Sequence, residues 1–218
     1  MKRNTKQFIL QIVMLFSTMV GLLVLFYPFY VSGLNEYLDQ VRSEAYIKAN
    51  EKEMARKRQA FAEKNATLTA AGLAPGVDPF ESFEESEEVK FEKEHLIGHV
   101  ELPSLGKKIP LYDTTTNALL EIGATVLAGT SYPLGGASTH AVITGHRGLP
   151  NRELFTNLPK LVVGDLFLLE VLGETLAYEV FDRQVVLPHE TSGLQIVPGE
   201  DYVTLVTCTP YMVNTHRL

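Results

Sequence analysis

The sequence predicts a mostly β fold, a closed or partly closed barrel of short strands carried behind two N-terminal helices. Three observations predict it. From residue 96 onward, short β-type runs are separated by turn signals and never alternate with long helices, which disfavours a parallel α/β sheet. The run Tyr202-Val203-Thr204-Leu205-Val206-Thr207 is dense in β-branched residues, the composition of a strand. Residues 8–33 hold no charged side chain, and residues 34–71 hold no Gly or Pro.

The first segment reads as a membrane anchor. As a helix rising about 1.5 Å per residue, residues 8–33 extend roughly 39 Å, enough to cross a hydrocarbon core of about 30 Å with some tilt. Tyr27 and Tyr30 stand near its outer end, where interfacial aromatics belong. Lys2, Arg3 and Lys6 precede it, whereas Glu36 and Asp39 follow. The positive-inside rule then makes residues 1–7 a cytoplasmic tail and places the rest outside the cell. A cleaved signal peptide is the alternative. It would have a shorter apolar core and a small-x-small cleavage site, for which Ser32-Gly33 is a poor fit.

Residues 34–71 read as a juxtamembrane helix rich in Ala, Glu, Lys and Arg, with a partial apolar stripe through Leu38, Val41, Ala45, Ala49, Met54 and Phe61. Such a segment is expected to be a solvated stalk. Gly72, Pro75, Gly76 and Pro79 end it. Residues 72–95 form a loop and acidic linker, in which Phe80 and Phe83 stand out. A loose polar loop gains nothing by exposing two Phe side chains, so this one is expected to dock on an apolar surface.

Residues 96–218 carry the barrel. Residues 99–102 and 108–112 read as two strands around a Gly turn. Residues 115–122 read as a short helix with a Thr or Asp cap, and 141–144 as a buried strand. Residues 151–158 suggest another short helix. Residues 166–171 and 176–181 flank Gly173 as a hairpin.

Composition excludes several functions. The 218-residue chain has a net charge of −7, which argues against nucleic-acid binding. It has no paired cysteines of zinc-site spacing and no phosphate-binding glycine loop, so no metal and no cofactor is assigned. Its single cysteine, Cys208, cannot form an internal disulfide.

Cys208 stands at the end of the densest strand, followed by Thr209-Pro210, and a proline there stops the ladder. A thiol at a barrel rim is open to substrate; the alternative is an inert core cysteine. A free thiol is mostly protonated at neutral pH and needs a histidine or a cation beside it. Of six histidines, His95, His99, His140 and His189 lie in polar or edge contexts. His146 follows a buried strand within Gly145-His146-Arg147-Gly148, and His216 is its competitor. Arg217 returns toward Cys208 if residues 215–217 pair with the cysteine strand. There it could bind an oxyanion or favour the thiolate; an ordinary surface Arg is the alternative.

These segments resemble the sortases. Thr204-Leu205-Val206-Thr207-Cys208-Thr209-Pro210 with Asn214-Thr215-His216-Arg217-Leu218 resembles the family's active-site strand pair. Val142-Ile143-Thr144-Gly145-His146-Arg147-Gly148-Leu149-Pro150 resembles its histidine segment. Residues 172–178 and 196–202 resemble the class C, pilus-assembling branch in Gram-positive bacteria. The resemblance implies an eight-stranded sortase-type β-barrel with short helices. It implies a transpeptidase in which Cys208 attacks the Thr–Gly bond of an LPxTG-like sorting signal and holds a thioester. His146 would be the general acid and base, and Arg217 would orient substrate and stabilise the oxyanion. The partners implied are pilin subunits, one of which offers a lysine amine as acceptor. The class often carries a lid with an Asp-Pro-aromatic motif, and Asp78-Pro79-Phe80 resembles it, with Asp78 on Arg217 and Phe80 over Cys208. The family continues past the arginine, so the final strand is expected to be incomplete at Leu218 and Arg217 to be frayed.

Three other readings stand beside this one. A housekeeping sortase would anchor surface proteins to a peptidoglycan amine, and a papain-like hydrolase would place Cys before His. A catalytically silent membrane-anchored interaction module would bury Cys208 in its core.

Overall fold

The computed structural model of the chain describes residues 2–74 and 93–218. Two helices lead. α1 runs Lys2–Ala49 and α2 runs Glu51–Ala71, with Gly72 as the C-cap. Within α1, residues Lys6–Tyr27 are long and apolar enough to cross a membrane, with a mean hydropathy of 2.5 and none of that stretch buried.

Seven strands then form one sheet: β1 Leu96–Leu102, β2 Lys107–Tyr112, β3 Ala124–Val126, β4 Thr139–Thr144, β5 Leu166–Val171, β6 Glu174–Glu179 and β7 Asp201–Val206. Their order is β6-β5-β1-β2-β3-β4-β7. The sheet curls into a nearly closed barrel, the mostly β fold expected from the sequence. β8 Cys208–Thr209 and β9 His216–Arg217 form a separate antiparallel pair. Among the described residues, seven strands make the main sheet and the β8–β9 pair stands beside it.

The turns follow the sequence signals. β5 and β6 pair from Leu166↔Glu179 to Val171↔Glu174, leaving Leu172 and Gly173 as a two-residue loop. Both have positive φ, 50° and 88°, the geometry that matches strand twist in a tight hairpin. The short helix is α3, Asn117–Ile122, capped by Thr116, whose Oγ1 accepts the Leu119 N–H at 3.2 Å. The helix expected over residues 151–158 is absent. That stretch is turns ending in a 3-10 turn at Leu158–Lys160, because Leu154 and Phe155 are drawn into the core.

The juxtamembrane helix is not a solvated stalk. Met54 and Phe61 are 2% and 6% exposed and belong to the main core with Val100, Leu102, Ile109 and Leu111. Phe61 stacks on Tyr132 with ring centroids 3.8 Å apart. Asn65 exchanges two hydrogen bonds with the Tyr132 backbone, at 2.9 and 2.7 Å, as a neighbouring strand would. Upstream, α1 lies along β1 and β2. Glu36 and Glu153 hold Lys107 at 2.8 Å each, Glu44 and Glu170 hold Lys108 at 2.9 and 2.8 Å, and Asp39 holds Arg152 at 2.9 Å.

Two histidines read as edge residues are buried instead. His140 on β4 bonds the Gln195 carbonyl through Nδ1 and Thr204 through Nε2. His99 on β1, 2% exposed, meets the Ser43 hydroxyl of α1 at 2.6 Å. Burial, with Lys108 beside it, pushes His99 down to about 4, while Glu170 and Glu44 oppose the shift. The unfolded chain takes up this proton from its ordinary value of 6.5, before the folded chain does. Stability is therefore whole above pH 6.5 and is lost as pH falls from 6.5 toward 4, by roughly 3 kcal/mol in total. Urea denaturation from pH 7 to 4 should show this fall, and His99→Gln should flatten the part due to this group.

Candidate active site

Strand β4 is buried at all six positions and runs parallel to β7, in register from Thr139↔Asp201 to Thr144↔Val206. Parallel pairing puts both C-terminal ends on the same side. The residue two beyond Thr144 is His146, and the residue two beyond Val206 is Cys208. The backbone keeps the register past the strands, since Gly145 N–H donates to the Val206 carbonyl at 3.1 Å. The Thr207 hydroxyl donates to the Gly145 carbonyl at 2.7 Å. A chain of hydroxyls, from half-buried Thr115 to buried Thr125 and Thr144 at 2.9 Å each, supports this end from below.

The histidine loop is shaped by its glycines. A Cβ on Gly145 would stand 2.6 Å from the Phe155 ring, so only glycine lets that fully buried ring pack beneath the loop. Gly148 has φ +91°, and a Cβ there would press on Tyr211. Phe155 N–H bonds the His146 carbonyl at 3.0 Å. Burial lowers the His146 pKa below its ordinary value, and the nearby Glu121 carboxylate on α3 opposes the shift. The imidazole is therefore neutral at pH 7, able to accept a proton.

Arg217 is brought to the same place. Its Cα pairs with that of Cys208 across β8 and β9, and on its other side it exchanges two backbone hydrogen bonds of 2.9 Å with Val186. Leu218 exchanges two more with Thr207, also 2.9 Å. The expected fraying does not occur, because Arg217 is tied to Val186 on one side and Leu218 to Thr207 on the other. The Arg217 guanidinium is buried, with Nη1 donating to the carbonyls of Asn214 and His216 at 2.8 and 2.9 Å. Cys208 is 4% exposed. His216, the alternative partner, turns its Nδ1 to the Thr215 hydroxyl at 2.9 Å.

Sequence reasoning missed Arg147. Its Nη1 reaches the Cys208 carbonyl and the Thr209 hydroxyl, at 3.4 and 3.3 Å, and its guanidinium lies 5.4 Å from the Tyr211 ring centroid. It thereby fastens the histidine loop to the cysteine strand. Its place beside His146 was the only available signal. Glu121 carried none, since its approach to His146 depends on how α3 packs. Asp78, Pro79 and Phe80 lie outside the described residues. Among the described residues no group of three or more His, Cys, Asp or Glu side chains could hold a metal.

Beside the site, β6 and β7 are the two ends of the sheet order, and a groove of about 670 Å³ separates them. Its lining includes Val203 and Leu205 of β7, Phe181, Leu187 and Val197 from the chain between β6 and β7, and Arg217.

Comparison with known proteins agrees with this geometry. Residues 100–218 match the sortase domain. A curated relative, sortase A of Listeria monocytogenes, is 23% identical over 210 residues, spanning 91% of this chain and 83% of the relative. Among solved structures, a mutant of sortase C-1 from Streptococcus pneumoniae has a TM-score of 0.71 at 38% identity, covering 81% of this chain and 91% of that one. Sortase C1 of Streptococcus agalactiae gives 0.69 at 41%, covering 80% and 90%. Sortase C-1 of Actinomyces oris gives 0.66 at 40%, covering 75% and 94%. With the family's domain matched from β1 to the last residue, and its structural relatives drawn from the C-type enzymes, the chain belongs to the sortase family of cysteine transpeptidases, in class C.

Proposed function

We propose that the protein is a membrane-anchored, extracytoplasmic pilin polymerase, with Cys208 as nucleophile, His146 as general acid and base, and Arg217 as oxyanion and substrate binder. The observation that supports it most is the convergence of three separate segments on one barrel end, by the parallel β4–β7 register and the β8–β9 pair. Two structural relatives are pilus-island sortases of Group B Streptococcus, and another from Streptococcus pneumoniae was solved with regard to pilin substrate specificity.

The sorting signal would lie extended along β7 in the apolar groove. Cys208 passes its proton to neutral His146, and the sulfur attacks the threonine carbonyl carbon. The carbonyl electrons move to oxygen, and the oxyanion that forms faces the Arg217 guanidinium. Collapse breaks the C–N bond, and the leaving glycine amine takes the proton from His146. The resulting thioester is attacked by a pilin lysine amine, which gives its proton to His146. Collapse of the second intermediate expels the cysteine sulfur, which recovers that proton. The product is an isopeptide bond. No cofactor enters any step.

Incubation of the protein with purified pilin subunits is expected to yield ladders that survive denaturation. They should vanish with Cys208→Ala, and His146→Ala should slow their formation by about 100-fold or more. Transfer to short glycine amines with no ladder would instead mark a wall-anchoring enzyme.

The His146 ring should titrate below 6.5 by NMR, and Glu121→Gln should move its midpoint lower still, because the opposing carboxylate is gone.

We also propose that Asp78-Pro79-Phe80 is an autoinhibitory lid over Cys208. Replacing Asp78 and Phe80 with Ala should raise the rate of Cys208 alkylation by a small thiol reagent, since the covered state no longer reduces the reactive fraction. An unchanged rate would remove the lid from the account.

A further inference from the structure

Which end of the barrel faces the anchor follows from register alone. α1 leaves the apolar stretch at Tyr27 and meets the β1–β2 strands first through Glu36 on Lys107 at the start of β2, and only later through Ser43 on His99. It therefore runs away from the anchor in the direction of β2. β1 is antiparallel to β2 and points back toward the anchor, and so do β4, β6 and β7 by their successive pairings. The ends of β4 and β7, where His146 and Cys208 follow, are thus the end nearest the anchor. Side chains agree. Asn35 reaches the Asn151 carbonyl at 3.5 Å, Glu36 accepts the Glu153 N–H at 3.2 Å, and Asp39 holds Arg152, all on the loop that follows His146.

The reach is short. Asn35 lies eight residues beyond Tyr27. At about 1.5 Å per residue that is roughly 12 Å of helix, of which the headgroup layer occupies about 5–7 Å. Two loops at this end carry adjacent large apolar side chains that stand half or more exposed among the described residues. Val162 and Val163, before β5, are 55% and 62% exposed, while Tyr211, Met212 and Val213, between β8 and β9, are 51%, 70% and 61% exposed. In a chain of net charge −7, residues 207–218 contain no carboxylate side chain, while the valine loop is flanked by Lys160 and by Asp165, whose carboxylate is turned inward to accept the Val162 N–H at 2.9 Å.

We propose that these two loops rest on the bilayer that holds the anchor, so that the catalytic end works in the headgroup layer against the membrane. Exposed apolar tips suit the boundary between headgroups and acyl chains. Their height is set by the ion pairs of Glu36, Asp39, Lys107, Arg152 and Glu153. The inference rests on the anchor reading made above and is separable from it.

The test uses the full chain carrying Cys208→Ala, reconstituted in phosphatidylcholine–phosphatidylglycerol vesicles whose acyl chains are brominated near the headgroup. A single cysteine bearing an environment-sensitive fluorophore is placed in turn by Leu22→Cys, Val163→Cys, Met212→Cys and Thr175→Cys, the last at the far end of the barrel. Bromine should quench the labels at 22, 163 and 212 by about twofold or more and leave 175 unchanged. Quenching at 22 with 163 and 212 as bright as 175 overturns this inference and keeps the anchor. No quenching at 22 overturns the anchor and the inference together. Val162→Asp with Val163→Asp should reduce quenching at 212. If that pair instead leaves quenching at 212 unchanged and, with Cys208 present, weakens binding of a soluble sorting-signal peptide in detergent, the loops face protein and the inference falls.

Discussion

The parallel pairing of β4 with β7 is the constraint on which the site depends. Parallel strands need a long crossover, and here it runs from His146 through the whole β5–β6 hairpin to Asp201. Its result is that two chain segments sixty-two residues apart end side by side with a fixed stagger. A one-residue slip would turn the side chains of β7 to the wrong face and carry Cys208 away from His146. The Gly145, Thr207 and Arg147 contacts extend the same register past the strand ends, where a ladder alone would fray. Arg217 depends on it in turn, because its segment pairs with residues 207 and 208.

The second constraint is the pair of leading helices. They supply Met54 and Phe61 to the core, and a hydroxyl partner to the buried imidazole of His99. The barrel is therefore not a unit hung on a flexible tether, but shares its interior with the helical segment that follows the apolar stretch of α1. The charges of that segment have a structural role too: most of the acidic residues on the contact face of α1 are matched by Lys107, Lys108 or Arg152 on the barrel.

Much of this was legible in the sequence, for identifiable reasons. Strand β7 announced itself by β-branched residues, the β5–β6 hairpin by Gly173, and α3 by Thr116 ahead of its apolar residues. The sortase resemblance placed Cys208, His146 and Arg217 in chain order, and the fold brings these three to one place. What was illegible depends on tertiary contact. Of the apolar stripe through residues 38–61 only Met54 and Phe61 are buried, while Val41, Ala45 and Ala49 stay exposed, so the stripe gave no sign of which part the barrel would cover. His99 and His140 looked like edge residues because a polar ring gives no sign that a hydroxyl or carbonyl will meet it inside. Strand β3 is three residues long and has no periodicity to detect. Residues 151–158 read as a helix because their apolar spacing cannot distinguish a helix face from two residues plugging a core.

The β4–β7 ladder also has a mechanical meaning. A protein fibre held at Cys208 would pull on the C-terminal end of β7, along the strand axis. Such a load strains the hydrogen bonds between β4 and β7 in shear, all six residue pairs together, instead of peeling them one at a time. The opposing anchor pull enters through α1 and is spread over its ion pairs and the Met54 and Phe61 contacts. If the polymerisation proposed above holds, a load on the product leaves its attachment point in place.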